Sequence, residues 1–266
     1  MSTSSILVDP LFVTATVDKV VKDDLVRLST STLACIHHRG FLSPQLLARL
    51  SQLVDEMPLT PVNQGRVYPP VLRFGPTLND FAVDKQLHPD YWEAAARASN
   101  EWRAAHLPYN PFETCLAWVG EVWGSSPQPV RIGGRPLLAG TIRKSVEGLR
   151  VHFDDVAREF PQGLFDQKVV AQLALNVYLS VPRVGGETTI WRHTWEPADE
   201  AVRAGYGYDE GLLAEIQSVT IRPREGDALL FSPRFYHCVA ASPGEARVSV
   251  AMFLGITADG TIAVWS

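Results

Sequence analysis

Between residues 137 and 256 short β-prone segments follow one another at 137–145, 150–153, 170–181, 187–191, 218–221, 228–231 and 247–256. They are rich in Val, Ile, Leu and Thr and are broken by turns such as 182–186. No strand–helix–strand alternation appears, which argues against a parallel α/β sheet. A run of antiparallel strands with long apolar stretches closes its hydrophobic faces against a second sheet. The expected fold is therefore mainly β with flanking α: a double-stranded β-helix (jelly-roll, cupin-like) with helices packed on one sheet. Residues 161–166 and 195–213 are expected as insertions near its open end.

The preceding half reads as support. Residues 1–10 form a Ser/Thr-rich arm, 12–21 alternate enough for a first strand, and 33–36 make a short apolar one. Ser43 caps a helix with Pro44 in its first turn, running to about Glu56; Leu46, Leu47, Leu50, Leu53 and Val54 fall on one face of it. Residues 91–106 and 110–123 read as further helices. Prolines, glycines and polar residues dominate 58–80, and a connection of that length often becomes a lid or a binding wall. One domain over 1–266 is expected, with 1–136 as helical and strand support plus the lid loop and 137–256 as the catalytic core.

The net charge of −5, without a block of like charges, argues against nucleic acid or a membrane surface as partner and points to a small-molecule substrate. Cys35, Cys115 and Cys238 lack CxxC spacing, so neither a disulfide framework nor a zinc ribbon is expected, and the compartment should be reducing. The first residues do not read as a leader and no apolar run reaches membrane-spanning length, so the expected location is the cytoplasm.

Within the core, His152 and Asp154 stand two residues apart, so on a strand or its exit both side chains project to one side and can reach one ion. A third ligand is then required, and His237 is the candidate. Two imidazoles and one carboxylate on one face of an octahedron form the site of non-haem Fe(II) oxygenases. Arg247-Val248-Ser249 lies ten residues further on, at the start of an apolar run. A guanidinium buried there needs an anion, and a carboxylate bound bidentately is its best match.

This pattern of His-X-Asp, distal His and Arg-X-Ser resembles the Fe(II)- and 2-oxoglutarate-dependent dioxygenases. Gly186-Glu187-Thr188-Thr189-Ile190-Trp191 and Arg224-Glu225-Gly226-Asp227-Ala228-Leu229-Leu230-Phe231 extend the resemblance over 139–256. Thr141-Ile142-Arg143, Glu147-Gly148 and residues 181–187 look closest to small-molecule hydroxylases related to the freestanding aliphatic halogenases. The resemblance implies Fe(II) held by His152, Asp154 and His237, 2-oxoglutarate held by Arg247 and Ser249, and O2 as the oxidant. In the related halogenases the position of Asp154 holds a small residue that leaves a coordination site for chloride; the carboxylate here disfavours halogenation. The function implied is hydroxylation of an unactivated aliphatic carbon of an amino-acid-like metabolite in natural-product biosynthesis, with succinate and CO2 released. Oxidative cyclisation or desaturation by the same ligands is the alternative, and a non-catalytic cupin-like binding protein the reading from outside enzymes.

Arg73, Arg143 and Trp191 are candidates for contact with substrate. Against these stand a solvated loop arginine for Arg73 and plain core for Trp191, Phe153 and Tyr178, both the commoner outcome for such residues, while Arg143 reads equally as one half of a core salt bridge. His193 is expected to be solvated, His37 and His38 to end a strand, and Asp155 to face away from Asp154. Cys238 reads as a small core residue.

Overall fold

The computed structural model describes residues 8–57, 59–61, 71–104 and 110–266. The arm at 1–7, Pro58, the stretch around Tyr68-Pro69-Pro70 and His106 lie outside these described residues. The elements are β1 (Thr14–Val17), α1 (Lys22–Ser29), β2 (Cys35–His38), α2 (Pro44–Glu56), β3 (Leu72–Phe74), α3 (Asp90–Ala104), α4 (Pro111–Trp123), β4 (Thr141–Ser145), β5 (Leu149–His152), α5 (Val156–Glu159), β6 (Val169–Ser180), β7 (Thr188–Thr194), β8 (Ser218–Ile221), β9 (Ala228–Phe231), β10 (Phe235–Val239), β11 (Arg247–Thr257) and β12 (Ile262–Trp265), with two-residue strands in the loops.

Among the described residues the strands form two principal sheets. The major one runs β1-β2-β9-β6-β11-β4-β3, with β12 paired to the far end of β11; the minor one runs β5-β10-β7-β8. This is the expected jelly roll. In β6 and β11 most residues are apolar because both faces are covered. Leu173, Leu175, Val177, Val250, Met252 and Leu254 pack outward with Leu50 and Leu53 of α2 and Val119 and Trp123 of α4. Ala174 and Tyr178 face inward with Ile190 and Phe235 of the minor sheet.

Local chemistry sets the helix ends. The Ser43 hydroxyl accepts from the Leu46 amide at 3.3 Å, and Asn110 Oδ1 accepts from Phe112 and Glu113 at 2.9 and 3.3 Å. Gly124 ends α4 at φ +88, a left-handed cap. Gly148 (φ +75) and Gly185 (φ +79) bear on the site itself: a Cβ at either would overlap the carbonyl oxygen of Val239 or Ala241. Only glycine lets these two turns close on the end of β10.

Four elements escape a reading of periodicity. Helix α1 is eight residues long, and its two buried leucines, Leu25 and Leu28, are too few to establish a helical repeat. Strands β10 and β12 are buried almost throughout and show no alternation. Strand β3 falls where a long unstructured connection is expected; it pairs with β4 in the register Arg73 opposite Arg143. Among the described residues no helix is long and apolar enough to cross a membrane.

Asp227, in the Gly-Asp approach to the distal histidine, ties the N-terminal strands to this frame. Its carboxylate accepts from His37 Nε2 at 2.7 Å and from the amides of Gly40 and Arg224, both at 2.9 Å. Burial alone would raise its carboxyl, yet those amides and His37 hold it below the usual carboxylate range. The stabilisation is therefore complete above the unfolded value of about 3.9 and is lost as pH falls through the lower folded one. Asp227→Asn should cost about 1–3 kcal/mol in urea unfolding at neutral pH. The gap to the wild type should close as the pH is taken below about 3.9.

Candidate metal centre and active-site cavity

His152, at the end of β5, and His237, in the middle of β10, are direct cross-strand partners. Their rings stand 4.3 Å apart between centroids. Asp154 follows β5 in the strand exit, where its amide donates to the Pro233 carbonyl at 2.8 Å. Its Oδ2 lies 3.8 Å from His152 Nε2 and 3.7 Å from His237 Nε2. One ligand atom from each residue falls within 4.8 Å of the other two, the only such His/Cys/Asp/Glu group among the described residues.

The protonation pattern suits a cation. His152 Nδ1 is 2.7 Å from the Arg150 carbonyl and His237 Nδ1 is 2.9 Å from that of Phe235. A carbonyl only accepts, so both Nδ1 atoms carry a proton and both Nε2 atoms are left facing Asp154. Burial first, then the neighbouring His152, pulls His237 down to about 3, so it is a neutral imidazole at physiological pH. Two imidazole nitrogens and one carboxylate oxygen suit Fe(II) with coordination positions to spare.

A small cavity of about 40 Å³ runs from this cluster between the sheets to Arg247 and is lined by Asn176 and Thr188. Arg247 is buried; it donates to the Tyr178 hydroxyl at 3.2 Å, while its Nε lacks a partner. The Thr188 hydroxyl is likewise buried and without a partner. Ser249 is buried between Arg143 and Tyr178 in register but lines neither cavity. Thr188, inside the Gly-Gly-Glu-Thr stretch, supplies the hydroxyl at that wall, a position that the Arg-X-Ser spacing did not single out.

On the other side of His152 and Asp154 a larger cavity of about 720 Å³ opens. Arg73, Thr77, Asn79, Asp80 and Lys85 form one wall of it, so the described part of the expected 58–80 connection lines this cavity. Tyr206 and Tyr208 of the second insertion form another. The Tyr206 ring packs 5.7 Å from that of His152, and its hydroxyl accepts from the Arg150 amide at 2.9 Å. Arg73 is not a solvated loop arginine: it is buried, ion-paired with Asp80, and donates to the Thr77 hydroxyl at 2.8 Å. Arg143 lines both cavities. Burial pulls its guanidinium below the usual range, and Asp154 partly restores it.

Trp191 is a correction. It alternates with inward-facing Ile190 and lies on the outer face of the minor sheet among Val151, Tyr208 and Tyr236, lining neither cavity. His193 is also not solvated: its Nε2 is 3.1 Å from Asp199 Oδ2, and its ring stacks on Tyr236. Asp155 turns away from the cluster to cap α5 and pair with Arg234 at 3.0 Å. Cys238 sits on the outer face with a thiol pushed up to about 11 by burial.

The profile of a family described as carrier-protein-independent halogenase WelO5 matches residues 11–266. The L-γ-glutamyl-L-propargylglycine hydroxylase of Streptantibioticus cattleyicolor is 41% identical over 242 residues, 90% of this chain and 90% of that one. An N-substituted L-amino acid dioxygenase of Burkholderia ambifaria superposes with a TM-score of 0.63 at 15% identity, covering 93% of this chain and 92% of that one, which shows the shared fold. The chain is thus an enzyme of the WelO5 family, within the Fe(II)- and 2-oxoglutarate-dependent oxygenases.

Proposed function

We propose that the protein hydroxylates an unactivated aliphatic carbon of a small amino-acid-like metabolite, with release of succinate and CO2. His152, Asp154 and His237 hold Fe(II). Arg247, with the Thr188 hydroxyl on the same cavity wall, holds the distal carboxylate of 2-oxoglutarate. When bound, the iron supplies the O2 chemistry that breaks down the keto acid and oxidises the substrate C–H bond. The protein's part is to orient the two organic molecules and to exclude water. Tyr178 steadies the Arg247 guanidinium from one side, and the larger cavity beside Asp154 receives the substrate.

The carrying observation is the Asp154 carboxylate, in contact range of both histidines within a family named for halogenases. With Asp154 as a third protein ligand, the metal would have one fewer open position for chloride than at a site with a small residue there. The 41% identical relative, a hydroxylase acting on a γ-glutamyl amino acid by its name, supports oxygen insertion and the substrate class.

Anaerobic titration with Fe(II) and 2-oxoglutarate should give a visible band saturating at one equivalent, and amino acids and γ-glutamyl dipeptides are the compounds to screen for stimulated O2 uptake. The product mass should rise by one oxygen; a loss of two hydrogens would instead mean cyclisation or desaturation. Asp154→Ala should abolish succinate formation, and wild-type turnover by that variant would remove the assignment. Arg247→Gln should raise KM for 2-oxoglutarate about ten- to a hundredfold, the value of a lost charge-assisted hydrogen bond of roughly 1.5–3 kcal/mol.

A further inference from the structure

Three arginines stand side by side on the major sheet. Arg73 of β3 is in register with Arg143 of β4, which is in register with Ser249 of β11, two residues from Arg247. Two of them have their charges met. Arg73 is paired with Asp80, and Arg247 is the group proposed above for the distal carboxylate of the keto acid. Arg143 has neither a hydrogen bond nor an ion pair among the described residues, although it lies in the walls of both cavities.

A guanidinium does not deprotonate in a protein, and where it is half-withdrawn from water it favours an anion. The loaded metal centre does not provide one. The two charges of Fe(II) and that of Arg247 would be offset by Asp154 and the two carboxylates of 2-oxoglutarate, which leaves Arg143 as the residual cation among the described residues lining the smaller cavity. It stands where the metal cavity meets the larger one, between Asp154 and the Arg73–Asp80 pair. The aromatic wall of Phe153, Tyr206 and Tyr208 faces the same space and suits an aliphatic chain.

We propose that Arg143 binds a free carboxylate of the organic substrate, so that the distance from that carboxylate selects the carbon brought to the metal. The proposal rests on the functional reading above and deepens it: neutral amides and esters of the substrate are excluded by the same residue that orients the acid. A guanidinium accepts a carboxylate through two parallel N–H donors, which fixes direction as well as position.

The test is calorimetry under anaerobic conditions, where no turnover occurs. Protein loaded with Fe(II) and 2-oxoglutarate is titrated with L-γ-glutamyl-L-propargylglycine, with L-norleucine, and with the form of each in which every carboxyl group is an amide. At least one acid should bind the wild type, and its amide should bind at least tenfold more weakly. R143Q should lose acid binding by at least tenfold while its 2-oxoglutarate titration stays unchanged, and R143K, which keeps the charge, should recover part of the loss. The amide arm uses the wild type alone and so holds even if R143Q folds poorly. Equal binding of acid and amide, unchanged acid binding by R143Q, or failure of both acids to bind a wild type that takes 2-oxoglutarate would each overturn the proposal. A loss of 2-oxoglutarate by R143Q would overturn it in favour of a cosubstrate role. Failure of the wild type to take 2-oxoglutarate would be the separate failure of the functional reading beneath it.

Discussion

One backbone register governs the centre of this protein: His152 of β5 lies directly across from His237 of β10. Successive side chains on a strand point to opposite faces, so a slip of one residue would turn one imidazole to the outside of the sheet. Several contacts pin the register. The turn at Gly148 tolerates no side chain against the Val239 carbonyl, and the Asp154 amide is tied to Pro233 just ahead of β10. The carbonyls that orient the two rings belong to the same strands, at Arg150 and Phe235. Ligand orientation is thus a property of the β ladder itself.

The back of that ladder is equally organised. Tyr236, adjacent to His237, donates to Asp199 at 3.0 Å, and His193 reaches the same carboxylate oxygen at 3.1 Å. Tyr208 and Trp195 donate to Glu200 at 3.0 and 2.7 Å. These contacts hold the second insertion against the outer face of the metal-bearing strands, while Tyr206 from the same insertion turns the edge and packs on His152. The buried part of this network, Tyr236 and Asp199, resists rearrangement, because releasing either would leave a buried donor or acceptor unpaired.

The two sheets also differ in charge. The major sheet carries Arg73, Arg143 and Arg247, and the minor sheet with its exit segment carries His152, His237 and Asp154. The orientation proposed for a dianionic keto acid, with its distal end toward Arg247, follows that difference. Membership of a family described by a halogenase does not fix the outcome of the reaction, because the number of protein ligands decides what else the metal can hold.

Much of this was legible in the chain. Strand spacing over 137–256 and the Ser43 cap rest on short-range patterns, side-chain period and capping chemistry; the candidate set His152, Asp154, His237 and Arg247 rests on the ligand preference of a metal together with the family resemblance. Helix α1 and strands β10 and β12 were not legible, since a short helix offers too few repeats and a strand covered on both faces has no alternation. Nor did sequence alone place His193 or Arg73, because each takes its role from a residue brought to it by folding: Asp199 from an insertion, Asp80 from the next turn. The sequence by itself determined which chemical groups the protein brings to a metal and which strands can carry them. Tertiary structure decided which charges find partners and which stay open to a ligand, since burial and neutralisation depend on residues far apart in the chain meeting across two sheets.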